Sequence, residues 1–278
     1  TYAPENQPTE SLEFANEIAI KSIEYYEETF GVKYPLSKLD QVSIPDFEAG
    51  AMENWGLVTY RESMLLAGKD ATNDTKKSVA LTVAHELAHQ WFGDLVTMAW
   101  WDDLWLNESF ASVMEYYAVD AICPDFNIWE DFFTGDCLAA LRRDAYSDIQ
   151  SVHQEVSSPE EIATLFDGAI VYAKGAHLMF MLFRLLGWDN FRKGIKDYFQ
   201  EYAYKNTIGD NLWNSLNKYA DFDIKDLMHT FIDRPGYPVI SSSDNFKKND
   251  QLSFELYNGY KEFYYWWYCR DLRVGIFL

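Results

Sequence analysis

The sequence has 278 residues, 48% hydrophobic and 17% aromatic, with a formal net charge of −21 and a pI near 4.5. That content is far from the low hydrophobicity of disordered chains and supports one or two packed units with a sizeable core. So acidic a chain lacks the basic footprint that a phosphate backbone requires, which excludes a nucleic-acid partner; the charge serves solubility and, secondarily, steering of cationic peptides.

The opening Thr1-Tyr2-Ala3-Pro4-Glu5 has neither the basic nor the apolar part of a leader, lacks an initiator Met and reads as the middle of a longer chain. Residues 9–30 place Leu12, Phe14, Ala15, Ile18, Ala19, Ile23 and Tyr26 at helical spacing, with Thr9 as N-cap and Gly31 as stop. Residues 39–44 and 56–60 read as short strands of a small sheet, separated by the turn-rich stretch 45–54. A helix follows over 75–92, with Asp74 as N-cap and Gly93 as C-cap, then another from about 107 to 122, ended by Pro124. Helical patterns then cover 127–145, 159–166, 168–186, 188–203, 209–219 and 223–232.

The predicted fold class is therefore α+β. Residues 1–125 form an α/β part that carries the motifs, and residues 126–240 a helical part. Residues 241–278, with the aromatic run Tyr264-Tyr265-Trp266-Trp267-Tyr268, are either the start of a further β-domain or an aberrant tail. No run of 18 apolar residues occurs, so no membrane segment is expected. Cys123, Cys137 and Cys269 are too few and scattered for a disulfide framework; they fit a reducing compartment, and a cytoplasmic location is the expectation.

The chemistry concentrates in His85-Glu86-Leu87-Ala88-His89, an H-E-x-x-H inside a predicted helix. Four residues advance about 400° and ~6 Å on an α-helix, so both imidazoles share one face and can converge on one ion. Glu86 falls about 100° from His85, where it can act as a base on an activated water without ligating the metal. A catalytic zinc takes three protein ligands and keeps an open position. Glu108 is the leading third ligand, eighteen residues beyond His89 at the start of the next helix. Leu87, Ala88, Trp91 and Phe92 imply burial, where unpaired charge is costly and ligation satisfies it. One Zn2+ per chain and hydrolytic chemistry follow.

His85-Glu86-Leu87-Ala88-His89-Gln90-Trp91-Phe92-Gly93-Asp94 with Glu108 resembles the gluzincin aminopeptidases of the aminopeptidase N type. Gly50-Ala51-Met52-Glu53-Asn54-Trp55-Gly56 is similar to that family's exopeptidase motif and precedes the zinc helix as it should; the resemblance covers roughly residues 10–240. It implies a thermolysin-like catalytic domain acting on peptides with a free N-terminus. Glu53 would bind the substrate α-amino group, with Gly50, Ala51, Met52 and Asn54 beside it on the binding loop. A carboxylate at a fixed distance from the metal lets only the first peptide bond reach it. Val171-Tyr172-Ala173-Lys174-Gly175 matches the family segment that places an oxyanion-stabilising tyrosine, which falls on Tyr172. An extended peptide would also pair with the sheet edge of the 50–60 segment.

Glu115 is the expected carboxylate behind a ligand imidazole, with Asp102 and Asp103 as alternatives. His153, His177 and His229 lack ligand spacing and are read as structural, and the cysteines show no nucleophile context. Family members carry an N-terminal β-rich domain, which adds a contact to the substrate amino group, and mostly a C-terminal helical domain that roofs the site. Flanking domains of a longer protein are therefore expected, and the zinc site is expected to survive in this chain better than exopeptidase fidelity. The function expected is a zinc aminopeptidase using a Glu general base. The alternatives are a folded zinc-binding fragment without activity, and a zinc endopeptidase or epoxide hydrolase of related fold.

Overall fold

The computed structural model describes residues 1–241, 255–258 and 261–263. Its first long helix, α1 (Glu13–Phe30), buries Ala15, Ile18, Tyr26 and Phe30 and ends at Gly31, whose left-handed φ of +63° suits glycine. Thr9 does not cap it. Thr9–Ser11 is a 3-10 turn, and α1 begins after Leu12 without a side-chain cap. Strands β1 (Asp40–Ile44), β2 (Ala51–Met52) and β3 (Leu57–Arg61) form the expected small sheet in the order β1-β3-β2. β1 runs parallel to β3 and β2 antiparallel to it, and Tyr2 bridges to Val42 on the far side of β1. The outer edge of β2 is left without a strand partner among the described residues.

A short helix α2 (Glu62–Leu65) leads into α3 (Asn73–Ala88). The N-cap of α3 is Thr72 and not Asp74: Thr72 Oγ1 accepts the N–H of Thr75, a role open only to a side chain just outside the first turn. The helix also stops earlier than expected, at Ala88. The chain then folds tightly, with Asp94 N–H donating to the His89 carbonyl and Gly93 at φ +131°. Helix α4 (Trp105–Ile122) packs along α3 and is buried over most of its length.

Most of the rest is helical, as the patterning predicts. α5 (Ile128–Asp131) and α6 (Cys137–Asp144) are joined by a π turn at Phe132–Asp136. α7 (Ile162–Leu165) follows, then a π turn at Gly168–Lys174 runs directly into α8 (Gly175–Leu186). α9 (Trp188–Tyr202), α10 (Gly209–Asn217) and α11 (Ile224–Ile232) complete the set. Two three-residue strands escape sequence reading: β4 (Val96–Met98) pairs in parallel with β5 (Lys205–Thr207), across more than a hundred residues of chain. β6 (Val239–Ser241), β7 (Glu255–Asn258) and β8 (Lys261–Phe263) form an antiparallel ladder. The aromatic run Tyr264 to Tyr268 and Cys269 lie outside the described residues.

One continuous cluster of buried side chains runs from Ala15 to Ile232. At its centre Phe92 touches the rings of Phe30, Phe110 and Phe199 at centroid distances of 5.4, 4.5 and 4.7 Å. Trp91 stacks edge-on against Tyr26 and Phe30 and donates its indole N–H to the Val32 carbonyl. Full burial of such rings stabilises by roughly 1.5–3 kcal/mol each, so the turn immediately after His89 is firmly anchored. The stretch Gly168–Leu186 is long and apolar enough to cross a bilayer by length and composition, but more than half of it is buried here against α4 and its neighbours. Gly175 is required where α8 meets α4: a Cβ there would lie 1.9 Å from Ser109 Oγ, which itself donates to the Val171 carbonyl.

Candidate active site

His85, Glu86 and His89 occupy the last turn of α3 and its C-cap, and Glu108 the first turn of α4. Packing of α3 on α4 brings three atoms together. His85 Nε2 and His89 Nε2 are 3.1 Å apart, and Glu108 Oε2 lies 3.3 and 3.4 Å from them. A tetrahedral ion with ligand bonds of about 2.0–2.2 Å spaces its ligand atoms about 3.3–3.6 Å apart. The two separations to Glu108 fall in that range and the imidazole pair lies slightly inside it, so the triangle is close to the size that a small metal ion requires.

The tautomers point the same way. His85 Nδ1 lies 2.7 Å from Glu115 Oε2, and His89 Nδ1 lies 2.9 Å from the Phe92 carbonyl. Each Nδ1–H donates outward, which turns a lone pair of each Nε2 inward. Two lone pairs and a carboxylate oxygen thus converge, all nearly or fully buried. A proton can bridge two of these atoms, whereas a cation meets all three. Among the described residues this is the one group of His, Cys, Asp or Glu with metal-ligand spacing.

Without the ion, protons answer the same convergence. Burial works against charged imidazoles, yet hydrogen bonds to Glu108 and Glu115 lift His85 well above the usual histidine range. Burial likewise opposes charge on His89, but the carboxylates of Glu53 and Glu108 push it up to about 9. Burial also opposes ionisation of Glu108, and the two imidazoles outweigh it, holding that carboxyl well below the usual range. A metal ion must displace these protons, so its affinity falls as pH falls.

The Glu115 expectation matches the geometry, and the Asp102 and Asp103 alternatives do not. Asp102 accepts the N–H of Val156, and Asp103 accepts from Trp105 and Gly209, away from the ligand triangle. Glu115→Gln is expected to weaken metal binding by ~10–100-fold. Competition against a chromogenic chelator measures this, and wild-type affinity in the variant would show that Glu115 does not tune His85.

Glu86 is 6% exposed and its Oε2 is buried without a hydrogen bond, a free acceptor beside the ligands; burial pushes the carboxyl up to about 7. Tyr172 sits in the π turn Gly168–Lys174, its ring 6.0 Å from that of His85 and nearly parallel to it. Burial, with Glu108 next, raises its hydroxyl far above the usual range, so it remains a donor. Glu53 is half-buried on the loop after β2, and its carboxylate acts electrostatically on Glu86, His89, Asp94 and Tyr172.

The other loop residues stand differently. Met52 and Asn54 are exposed, and Asn54 Nδ2 donates to Thr59 Oγ1 and the Met52 carbonyl within the sheet. Gly50 is exposed, accepts from Arg61 N–H, and has open space where a Cβ would go; close approach is required instead at Gly56, at φ +79° against Leu36. Ala51 is half-buried in edge strand β2.

His153 and His229 share the carboxylate of Asp233, and His177 stacks on Phe132 at 3.9 Å, all apart from the ligands. Sequence reading missed Gln90 and Asp94. Gln90 is fully buried and donates to Asp94 and to the Glu53 carbonyl. Burial, followed by the nearby Glu53, pushes Asp94 up to about 8. The signal available was their place inside the zinc motif, next to His89.

Comparison with known proteins decides the family. The profile of the peptidase family M1 domain matches residues 14–231. The chain belongs to peptidase family M1. Its M1 relatives include Aminopeptidase N of Lactobacillus delbrueckii subsp. lactis, 51% identical over 93% of this chain and 31% of the relative. Aminopeptidase N of Lactococcus lactis subsp. lactis is 54% identical over 87% of this chain and 28% of its own length. Tricorn protease-interacting factor F2 of Thermoplasma acidophilum is 43% identical over 86% of the chain and 31% of that protein. The chain thus spans about a third of the length of these M1 relatives. Mixed helices and small sheets, mostly helical, are the M1 architecture observed here.

Proposed function

We propose that this chain is the catalytic unit of a zinc aminopeptidase of family M1, with a thermolysin-like arrangement of sheet and ligand helices. The observation that carries the reading is the triangle of His85 Nε2, His89 Nε2 and Glu108 Oε2, with the unpartnered Glu86 oxygen beside it and Glu53 within electrostatic reach. The aminopeptidase names of the M1 relatives support it.

His85, His89 and Glu108 would hold one Zn2+, whose Lewis acidity polarises the peptide carbonyl and acidifies water. Glu86 takes the proton of the attacking water at its free carboxylate oxygen and returns it to the leaving nitrogen. Tyr172 donates its hydroxyl hydrogen toward the oxygen on which negative charge develops. Glu53 pairs with the substrate ammonium and so restricts cleavage to the first bond. Ala51 and Met52 offer to an extended peptide the edge of β2 that has no strand partner among the described residues, with Gly50 and Asn54 shaping the loop around it. Free, half-buried thiols at Cys123 and Cys137 support placement in a reducing, cytoplasmic compartment.

The test is hydrolysis of a panel of aminoacyl arylamides beside N-blocked, internally quenched peptides, with metal content measured on the same sample. The expected result is one zinc per chain and cleavage confined to substrates with a free amino group. Preference for blocked peptides would replace the reading with an endopeptidase, and stoichiometric zinc without turnover of either class would favour the inactive fragment.

A further inference from the structure

Gln90 follows ligand His89 directly and is fully buried, yet it belongs to none of the roles above. Its amide has two donor hydrogens and one oxygen with two acceptor sites, and all are engaged. Nε2 donates to the Glu53 carbonyl at 3.0 Å and to Asp94 Oδ2 at 3.0 Å. Oε1 accepts the Gly56 N–H at 3.1 Å, and the Tyr34 hydroxyl lies 3.4 Å away.

One loop contact falls just before a turn and the other within it. Asn54 to Leu57 closes with a Leu57 N–H to Asn54 carbonyl bond, and Gly56 stands at its third position with φ +79°. Residues 53–56 belong to no strand; the sheet grips the chain before them through Ala51 and Met52 and after them through Leu57. One buried side chain therefore ties the segment carrying Glu53 to the turn carrying His89. Asp94 holds the other donor of that amide and fixes which way it faces, since a flipped amide would set its oxygen against a carboxyl oxygen and its NH2 against the Gly56 N–H.

We infer that Gln90 is a positioning residue for substrate: it locks the loop bearing Glu53 to the metal-ligand turn and so sets the distance between the ammonium site and the reacting centre. The inference rests on the aminopeptidase reading for its consequence in catalysis, but not for the strut itself. A residue that merely filled space would be replaced by Met, unbranched and of similar volume, without effect on the loop. A strut would not, because the Glu53 carbonyl and Gly56 N–H would lose their partner and the turn would open locally.

The experiment compares wild type with Gln90→Met and Gln90→Glu, the latter keeping an acceptor for Gly56 and losing the donor to Glu53. Amide hydrogen exchange reads the loop without reference to activity. Gly56 is expected to exchange roughly tenfold or more faster in Gln90→Met, with the amides of α3 unchanged. Gln90→Glu keeps the acceptor for Gly56 but sets an oxygen against Asp94 and the Glu53 carbonyl, so protection is expected to be recovered there only in part. On aminoacyl arylamides, Gln90→Met is expected to raise KM by ~10–100-fold with kcat within about threefold of wild type. Discrimination against N-blocked substrates should fall with it, at constant zinc content. Unaltered Gly56 exchange in Gln90→Met, or loss of zinc together with α3 protection, would overturn the strut. Wild-type failure to prefer a free amino group would sink the aminopeptidase reading instead, leaving the exchange result to decide the strut alone.

Discussion

Glu86→Gln is expected to lower turnover of aminoacyl arylamides by ~10²–10⁴-fold while zinc content stays at one per chain. Gln has the shape of Glu and removes only the ability to accept and return a proton. The site tolerates it because Glu86 is 6% exposed and burial already disfavours its charge, so an uncharged amide of the same shape relieves that cost and adds little beyond its own unpaired hydrogens. The ligands are untouched, since His85, His89 and Glu108 bond to one another's neighbourhood and not through Glu86. Single-turnover assays with metal analysis on the same preparation separate the two properties. Wild-type turnover in the variant would exclude Glu86 as the base, and loss of zinc would make it part of the metal site.

Asp144→Ala is expected to cost ~3–5 kcal/mol of stability, a large share of the roughly 5–15 kcal/mol that holds a domain folded. Lys174 Nζ lies 2.9 Å from Asp144 Oδ2, with side chains only 8% and 3% exposed. Lys174 also donates to the carbonyls of Arg234 and Gly236, and Asp144 accepts the N–H of Gly236. Burial lowers the Lys174 pKa and outweighs the help of Asp144, which means the pair as a whole gains little over an apolar replacement. Removing one partner is the costly step, because it strands a buried ammonium.

The double variant Asp144→Ala with Lys174→Met should therefore be more stable than Asp144→Ala alone. Denaturant titration of the three proteins checks this, and equal destabilisation of single and double variants would contradict it. Lys174 closes the π turn that holds Tyr172, so the single variant should also reduce turnover through a displaced hydroxyl, with zinc content unchanged.

Much of the site is written in local sequence. A spacing of four residues in a helix suffices to put His85 and His89 on one face, because helix geometry is the same wherever a helix forms. The sequence motifs also placed Glu53 and Tyr172 near the ligands, and the patterning located every long helix to within a few residues. Helix ends were harder. Asp74 and Thr9 are not the caps that the pattern suggests, because several polar residues near a start can cap it and only the backbone angles select one. The strands β4 and β5 carry no alternation in three residues each, and their pairing is made by the fold around them.

Residue types and spacing alone thus placed His85 and His89 on one helix face, with Glu86 beside them and the amphipathic faces that bury them, since all of these are set within one or two turns of helix. Tertiary structure decided what lies between elements distant in sequence. Packing of α3 on α4 set the 3.3 and 3.4 Å separations that make Glu108 a ligand candidate and chose Glu115 over Asp102 and Asp103. It also chose Asp144 as the counterion of Lys174 and Gln90 as the link to the Glu53 loop. Such contacts depend on the relative placement of whole helices, where a fraction of an ångström decides whether a polar group meets a partner or is stranded.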